Sequence, residues 1–221
     1  MKKVLKVLII EDHKLIINAY KLILENADVD FKFQIDVATN CDEAFHKIKS
    51  CNEKPIDIIF LDIQLPASKD GQILSGENLG VKIKQLLPKS KIIINTSLND
   101  NYRLYTILKN IKPMALMIKS EAGPNEITEA IKSVITDNFY YSNSILKLLN
   151  NNNYDNFVID KIDRQLLYQL SLGCQIKELP NILPLEMAGI EKRKRHLKRI
   201  FNIKTNGNKE LLRIARERGF I

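Results

Sequence analysis

Tryptophan is absent from the 221-residue chain, and only eight glycines, seven prolines and three cysteines occur. Glycine and proline this sparse exclude collagen-like and low-complexity chains. Cys41, Cys51 and Cys174 are odd in number, far apart and without zinc-ligand spacing. They read as ordinary thiols in a reducing cytosol rather than as a disulfide framework. No apolar run approaches the roughly 20 residues needed to cross a bilayer. The basic N-terminal run Lys2–Ile10 ends in Glu11-Asp12 instead of small residues at a cleavage site, so no signal peptide is expected. The expectation is a soluble cytoplasmic protein with no membrane partner.

What is present is an ordinary globular balance, 45% hydrophobic and 27% charged residues, with a net charge of +8. The charge is unevenly placed. Residues 1–156 carry 20 basic and 19 acidic side chains, a net of +1, while residues 157–221 carry 14 and 7, a net of +7. The asparagine-rich stretch from Asn150 to Asn156 separates them, and polar turn formers between periodic regions read as a linker. The expected organisation is a domain over 1–138, a linker over 139–156 and a small basic domain over 157–221.

In the first half, short Ile-, Val- and Leu-rich runs at 4–10, 32–38, 56–61, 91–95 and 114–118 alternate with amphipathic stretches at 13–26, 41–51, 77–87, 100–110 and 124–137. Strands apolar on both faces, alternating with helices, predict a doubly wound five-stranded parallel sheet of the flavodoxin-like α/β class. Such sheets bind ligands beyond the carboxyl ends of their strands. There the chain places Glu11 and Asp12 after the first strand, Asp62 after the third, Thr96 after the fourth and Lys119 after the fifth.

Physically this is equipment for phosphoryl transfer. Clustered carboxylates repel unless a divalent cation neutralises them, and oxygen-only ligands suit magnesium. One carboxylate can become a nucleophile, giving an aspartyl-phosphate. A lysine ammonium and a threonine hydroxyl would bind the oxygens of the incoming group. Singly, each residue also reads as turn chemistry, a helix cap or a solvated charge. All of them in order on successive strand ends form a far more specific signal.

With these residues in place, residues 4–137 resemble the receiver domain of two-component response regulators. The resemblance implies that Asp62, in Leu61-Asp62-Ile63-Gln64-Leu65-Pro66, is the phosphoacceptor. It implies Asp12 as a direct magnesium ligand, Glu11 as one acting through water, and the Gln64 main-chain carbonyl as completing the shell. Thr96 matches the switch hydroxyl and Lys119 the phosphate-binding lysine, and a histidine kinase is the implied phosphodonor. Three departures stand out: Ser120 where proline often follows the lysine, Leu116 in place of the usual switch aromatic, and a long loop over 67–76.

The basic half reads as helical throughout. Ile162, Leu166, Leu167 and Leu170 share a face, with Gly173 as a C-cap. A short second helix covers Ile176 and Leu179, a third most of 186–201 and a fourth 209–218, an all-α helix-turn-helix pattern. On the third helix Ile190, Leu197 and Phe201 form a buried stripe. Lys192, Arg195 and Arg199 face the opposite way, Lys198 and His196 flank them, and Arg193 and Lys194 border the stripe. An apolar seam backed by a basic face suits insertion into a major groove. This half looks like a LuxR/NarL-type output domain, although the turn Leu183-Pro184-Leu185-Glu186 lacks the usual glycine and hydroxyl cap. Gly189 in the first turn favours a helix start nearer Ile190.

Together these readings predict a response regulator, not an enzyme, that is phosphorylated on Asp62, dimerises on activation and controls transcription by binding DNA. Two other classes remain open at this point. One is an interaction module whose helix-turn-helix touches no DNA. The other is a magnesium-dependent phosphatase, although such hydrolases place a second acid where Gln64 stands.

Overall fold

In the computed structural model the described residues are 3–27, 29–51, 55–150, 159–201, 203–205, 207–217 and 220–221. The chain divides into two compact units, Met1–Asn99 with Ile107–Asn151, and Asp100–Thr106 with Asn152–Ile221. The expected linker core at 151–156 lies outside the described residues.

The first unit is built on strands β1 (Lys3–Ile10), β2 (Phe31–Ala38), β3 (Ile58–Leu61), β4 (Lys91–Thr96), β5 (Ala115–Ile118) and β6 (Tyr140–Tyr141). They order β2-β1-β3-β4-β5-β6, and every neighbouring pair is parallel. Parallel pairing requires a crossover, and helices α1 (Lys14–Asn26), α2 (Cys41–Ser50), α3 (Gly76–Leu86), α4 (Asn101–Asn110) and α5 (Pro124–Ile135) supply those between the first five strands and on to β6. β3 and β5 are buried along their whole length, as strands covered on both faces must be. Helices α1 and α5 bury one stripe each. In α1 it is Ile17, Tyr20 and Leu24, and in α5 it is Ile127, Ala130, Ile131 and Val134. These stripes meet Val7, Ile9, Phe60, Ile93 and Met117 in one core.

Local chemistry fixes the helix starts. The Asn40 side chain accepts from the Glu43 N–H at 2.9 Å while Glu43 Oε2 takes the Thr39 N–H, which satisfies donors that α2 would otherwise leave open. Pro124 opens α5, where its missing N–H costs nothing.

Three expectations are corrected here. β3 begins at Ile58 rather than Ile56, because the Asp57 carboxylate turns back to accept the Lys6 N–H at 2.7 Å. The sheet has six strands instead of five, and residues 139–149 are not linker. After α5 the chain turns through Asp137 in the left-handed region (φ 62°). It then runs beside β5, with Tyr140 N–H bonding Met114 O and Ser142 N–H bonding Leu116 O. Helix α6 (Asn143–Leu149) follows, burying Ile145 and Leu148. A two-residue strand is too short for an alternation signal, so only its pairing with β5 reveals it.

The second unit carries α7 (Lys161–Ser171), a 3-10 helix (Ile176–Asn181), α8 (Met187–Ile200) and α9 (Lys209–Glu217). Leu166, Leu167, Leu170, Leu179, Leu183, Ile190, Leu197, Phe201, Leu211 and Ala215 form its core. α7 ends as anticipated at Gly173 (φ 89°), where Gly173 N–H bonds Leu170 O and Cys174 N–H bonds Gln169 O. That pair of bonds is a Schellman closure, which needs a left-handed residue, a conformation glycine adopts most readily.

Candidate functional site

The carboxyl ends of β1, β3 and β5 bring three of the expected residues into direct contact. Lys119 Nζ lies 2.9 Å from Glu11 Oε2 and 2.9 Å from Asp62 Oδ2. Glu11 and Asp62 are 1% and 3% exposed, so two buried carboxylates share one ammonium. Buried charge is costly unless paired, and here Lys119 is the pairing group. Burial opposes the Lys119 charge, but hydrogen bonds and charge from Glu11 and Asp62 outweigh it and raise the ammonium above its ordinary value. Burial raises the Glu11 carboxyl, with Asp62 adding to the effect and Lys119 opposing it.

Glu11, Asp12, His13 and Asp62 each place one ligand atom within 4.8 Å of the others. Glu11 and Asp62 form the buried side of this cluster, and exposed Asp12 and His13 form its open side. Three carboxylates of this kind fit a hard divalent cation. The Gln64 N–H bonds Asp62 Oδ1 at 3.2 Å, which ties the first turn of the following loop to the Asp62 carboxylate.

Thr96 is fully buried at the end of β4, where its Oγ1 accepts the Leu98 N–H at 3.2 Å. Among the described residues it makes no hydrogen bond to Asp62 or Lys119. Leu116 is fully buried within β5, paired laterally with Ile94 and Tyr141.

Two neighbours of the site went unread in the sequence. His13, at the N-cap of α1, has its Nδ1 3.0 Å from Glu11 Oε1 and 2.7 Å from Asp12 Oδ1. The Glu11 hydrogen bond and the Asp12 charge raise its pKa, and its position directly after an acidic pair was the available signal. Gly76 opens α3 against the backbone of Asp62 and Ile63, with its N–H bonded to Ile63 O at 3.2 Å.

The loop over 67–75 is compact. Ser68 N–H bonds Ile73 O at 2.7 Å, Ser68 Oγ accepts the Ile73 N–H at 2.9 Å, and Gly71 turns through φ 67°. Ile73 is 2% exposed, so an apolar anchor holds the loop down. The Lys69 N–H reaches Asp42 Oδ2 at 3.2 Å, tying the loop to α2.

In the second unit, α8 begins at Met187 rather than near Ile190. Glu186 is extended and its side chain makes no cap bond, yet the Ile190 N–H bonds Glu186 O and closes the first turn. A Cβ at Gly189 would meet the Leu185 side chain at 3.4 Å, an ordinary packing contact, so the space there does not itself require glycine. Ile190, Leu197, Ile200 and Phe201 are buried. Lys192, Arg195 and Arg199 are exposed, and Lys198 and His196 are half-buried. Arg199 Nη2 lies 3.1 Å from His196 Nδ1, and Lys198 Nζ donates to Thr205 O at 3.1 Å. Lys192, Arg195, His196 and Arg199 line an open concavity of about 750 Å³ on this helix. Arg193 also borders the concavity, but its Nη1 lies 2.7 Å from Asp160 Oδ2 and 2.9 Å from Asp163 Oδ1.

Residues 7–132 match the family described as the response regulator receiver domain, and the chain belongs to that family. Over 213 residues it is 23% identical to the oxygen regulatory protein NreC of Staphylococcus carnosus, covering 91% of this chain and 93% of that one. NreC of Staphylococcus aureus is 25% identical over 207 residues, covering 87% and 89%. Among solved structures, RcsB of Salmonella enterica serovar Typhimurium bound to the promoter rprA in the presence of a phosphomimetic superposes with a TM-score of 0.65. That match is at 17% identity and covers 95% of this chain and 96% of that one. A CheY-like receiver domain from Methanospirillum hungatei gives 0.50 at 23% identity, covering 61% and 97%. The structural likenesses establish a shared fold, and the two-unit arrangement of an α/β sheet followed by a helical region is common to the full-length matches. Among the described residues no helix is long and apolar enough to cross a membrane.

Proposed function

We propose that this response regulator accepts a phosphoryl group on Asp62 from a histidine kinase and, as a dimer, controls transcription by binding DNA through α8. The observation that carries the reading is the Lys119 ammonium held 2.9 Å from both Glu11 and Asp62 at the carboxyl edge of a parallel sheet. An Asp62 carboxylate oxygen forms the new O–P bond while the P–N bond of the kinase phosphohistidine breaks and the imidazole leaves. Lys119, already anchored beside the acceptor, takes a phosphoryl oxygen. Thr96, whose Oγ1 accepts the Leu98 N–H, donates its hydroxyl proton to another. Glu11, Asp12, Asp62 and the Gln64 main-chain carbonyl would hold a magnesium ion, which when bound neutralises charge on the transferring group.

The DNA reading is supported by α8. Lys192, Arg195 and Arg199 stand exposed on the side opposite its buried stripe, with His196 and Lys198 beside them. Two such helices in a dimer would meet half-sites related by two-fold symmetry.

The test is intact-mass measurement after incubation with acetyl phosphate and magnesium. The wild type gains one phosphoryl group and Asp62→Asn gains none. An adduct persisting in the variant would remove Asp62 from the reading.

A further inference from the structure

Alternation along the strands sets four polar side chains on one side of the sheet at its carboxyl end. Ile9, Phe60, Ile93 and Met117 all belong to the core that α1 and α5 cover. Two residues further on, the same side carries Glu11, Asp62, Asn95 and Lys119. Three of these form the ion cluster already described. Asn95 is the fourth.

Strand order places β4 between β5 and β3. Lys119 follows β5, yet its Nζ bonds Asp62 beyond β3 and Glu11 beyond β1. Its stem therefore passes over the end of β4, where Asn95 is the last strand residue on that side. Asn95 is 5% exposed. Its Nδ2 donates to the Tyr20 hydroxyl at 3.0 Å, while its buried Oδ1 has no hydrogen-bond partner among the described residues.

An orphaned buried carbonyl is destabilising, and an apolar pair of similar volume in place of Tyr20 and Asn95 would avoid it. Stability alone therefore gives no reason for an amide here. Lys119 supplies one. Its ammonium has three N–H donors, of which two go to Glu11 and Asp62, and among the described residues no acceptor takes the third. A spare donor and a spare acceptor thus stand on the same side of adjacent strands, the acceptor buried and the lysine side chain 16% exposed.

Exchanging the amide N and O of Asn95 would put a second donor group beneath the cation, so the orientation with Nδ2 on Tyr20 is the compatible one. Tyr20 is itself fixed, with its ring 4.8 Å from that of Phe60. Burial raises the Tyr20 hydroxyl pKa, with smaller contributions from Glu11 and Asp62, which keeps it neutral and places it within the field of the acidic cluster.

We infer that Asn95 is a positioning residue for phosphoryl transfer: its Oδ1 takes the third N–H of Lys119 through one buried water, and Tyr20 holds the amide in the orientation this requires. The inference rests on the reading of Asp62 as phosphoacceptor. When the phosphoryl group arrives, Lys119 exchanges a carboxylate for a phosphoryl oxygen. A neutral acceptor beneath the ammonium keeps it in place during that exchange without adding a competing charge.

The test measures the rate of Asp62 adduct formation on the full chain by intact mass, over a range of acetyl phosphate concentrations with magnesium. Wild type, Asn95→Leu, the double variant Tyr20→Phe/Asn95→Leu and Asp62→Asn are compared, with thermal unfolding of each. Loss of a hydrogen bond to a charged group predicts a maximal rate lower by about tenfold or more in both Asn95 variants. The donor concentration at half-saturation stays unchanged. The double variant, which leaves no unpaired hydroxyl, melts at or above the wild-type temperature. Maximal rates within twofold of wild type in the folded double variant would overturn the inference, as would a change confined to half-saturation. Absence of any adduct on the wild type would instead overturn the Asp62 reading itself, so the two failures are distinguishable.

Discussion

Gly76 and Asp62 touch through their backbones: a Cβ on Gly76 would overlap the Asp62 carbonyl oxygen and lie 2.8 Å from Ile63 Cα. The head of α3 therefore closes directly on the strand end that presents the Asp62 carboxylate, and only a residue without a side chain permits that approach. Neither backbone segment can yield easily, since Asp62 N–H is bonded to Ile10 O at 2.9 Å and Gly76 N–H to Ile63 O. Gly76→Ala should cost about 1–3 kcal/mol, the range for overpacking a filled interior. It should also slow phosphorylation of Asp62. A urea midpoint and an adduct rate both equal to wild type would show that the contact is relaxed at no cost.

Lys119 is the one cation bonded to both Glu11 and Asp62 among the described residues. Lys119→Ala should destabilise the magnesium-free protein by about 3 kcal/mol, the scale for stripping one partner from a buried pair. Magnesium should then raise the melting temperature of the variant more than that of the wild type, because a ligand that binds only the folded state stabilises it by mass action. Thermal unfolding with and without magnesium checks this. An equal magnesium shift in both proteins would mean that the cation does not enter this cluster.

Most of the strands and the charged ends of three of them were readable because β1, β3, β4 and β5 are largely apolar runs that stop at a polar residue, while β2 alternates apolar and polar residues. Glu11, Asp62 and Lys119 sit one residue past such stops, so strand ends alone assembled them. What escaped depends on partners far away in sequence. β6 is two residues long and exists through its bonds to β5. Gly76 matters only through its approach to Asp62. Asn95 and Tyr20 are 75 residues apart, and no local pattern pairs them. On α8, periodicity placed the buried and exposed faces, but the acidic partners of Arg193 lie 30 and 33 residues away.

Those partners make a third prediction about stability. Asp160 and Asp163 form a reciprocal cap at the start of α7, and Arg193 bonds both carboxylates. Arg193→Ala should weaken protection of the α7 amides by about 1.5–3 kcal/mol at neutral pH, as for hydrogen bonds to charged groups. Asp160 is held below its ordinary 3.8: burial opposes ionisation, but the Asp163 N–H and Arg193 prevail. Its contribution is therefore present above 3.8 and lost as pH falls through the folded value. Asp163 has the opposite sign, since burial and then the Asp160 charge raise it; its contribution is full below 3.8 and lost as pH rises through its folded value. In strong acid both are neutral and Arg193 has no charged partner. The gap between wild type and variant should narrow from pH 7 to pH 3, as read by amide exchange on the full chain. A constant gap would mean that Arg193 acts by packing alone.

The exposed face of α8 is open to the most direct test of the DNA reading. Lys192, Arg195 and Arg199 are exposed, whereas Lys198 is tied to Thr205 O, so removing the first three should leave the fold and Asp62 phosphorylation intact. Each phosphate neutralised contributes about 0.9 to the slope of log affinity against log salt. The triple alanine variant should therefore bind duplex DNA more weakly and with a slope shallower by about 2–3. Lys198→Ala alone should change the slope by less than one such step, because its ammonium already has a protein partner. Fluorescence anisotropy with labelled duplex at several salt concentrations separates these cases. Weaker binding with an unchanged slope would place the three side chains at base edges rather than phosphates, and undiminished binding would move the DNA surface away from α8.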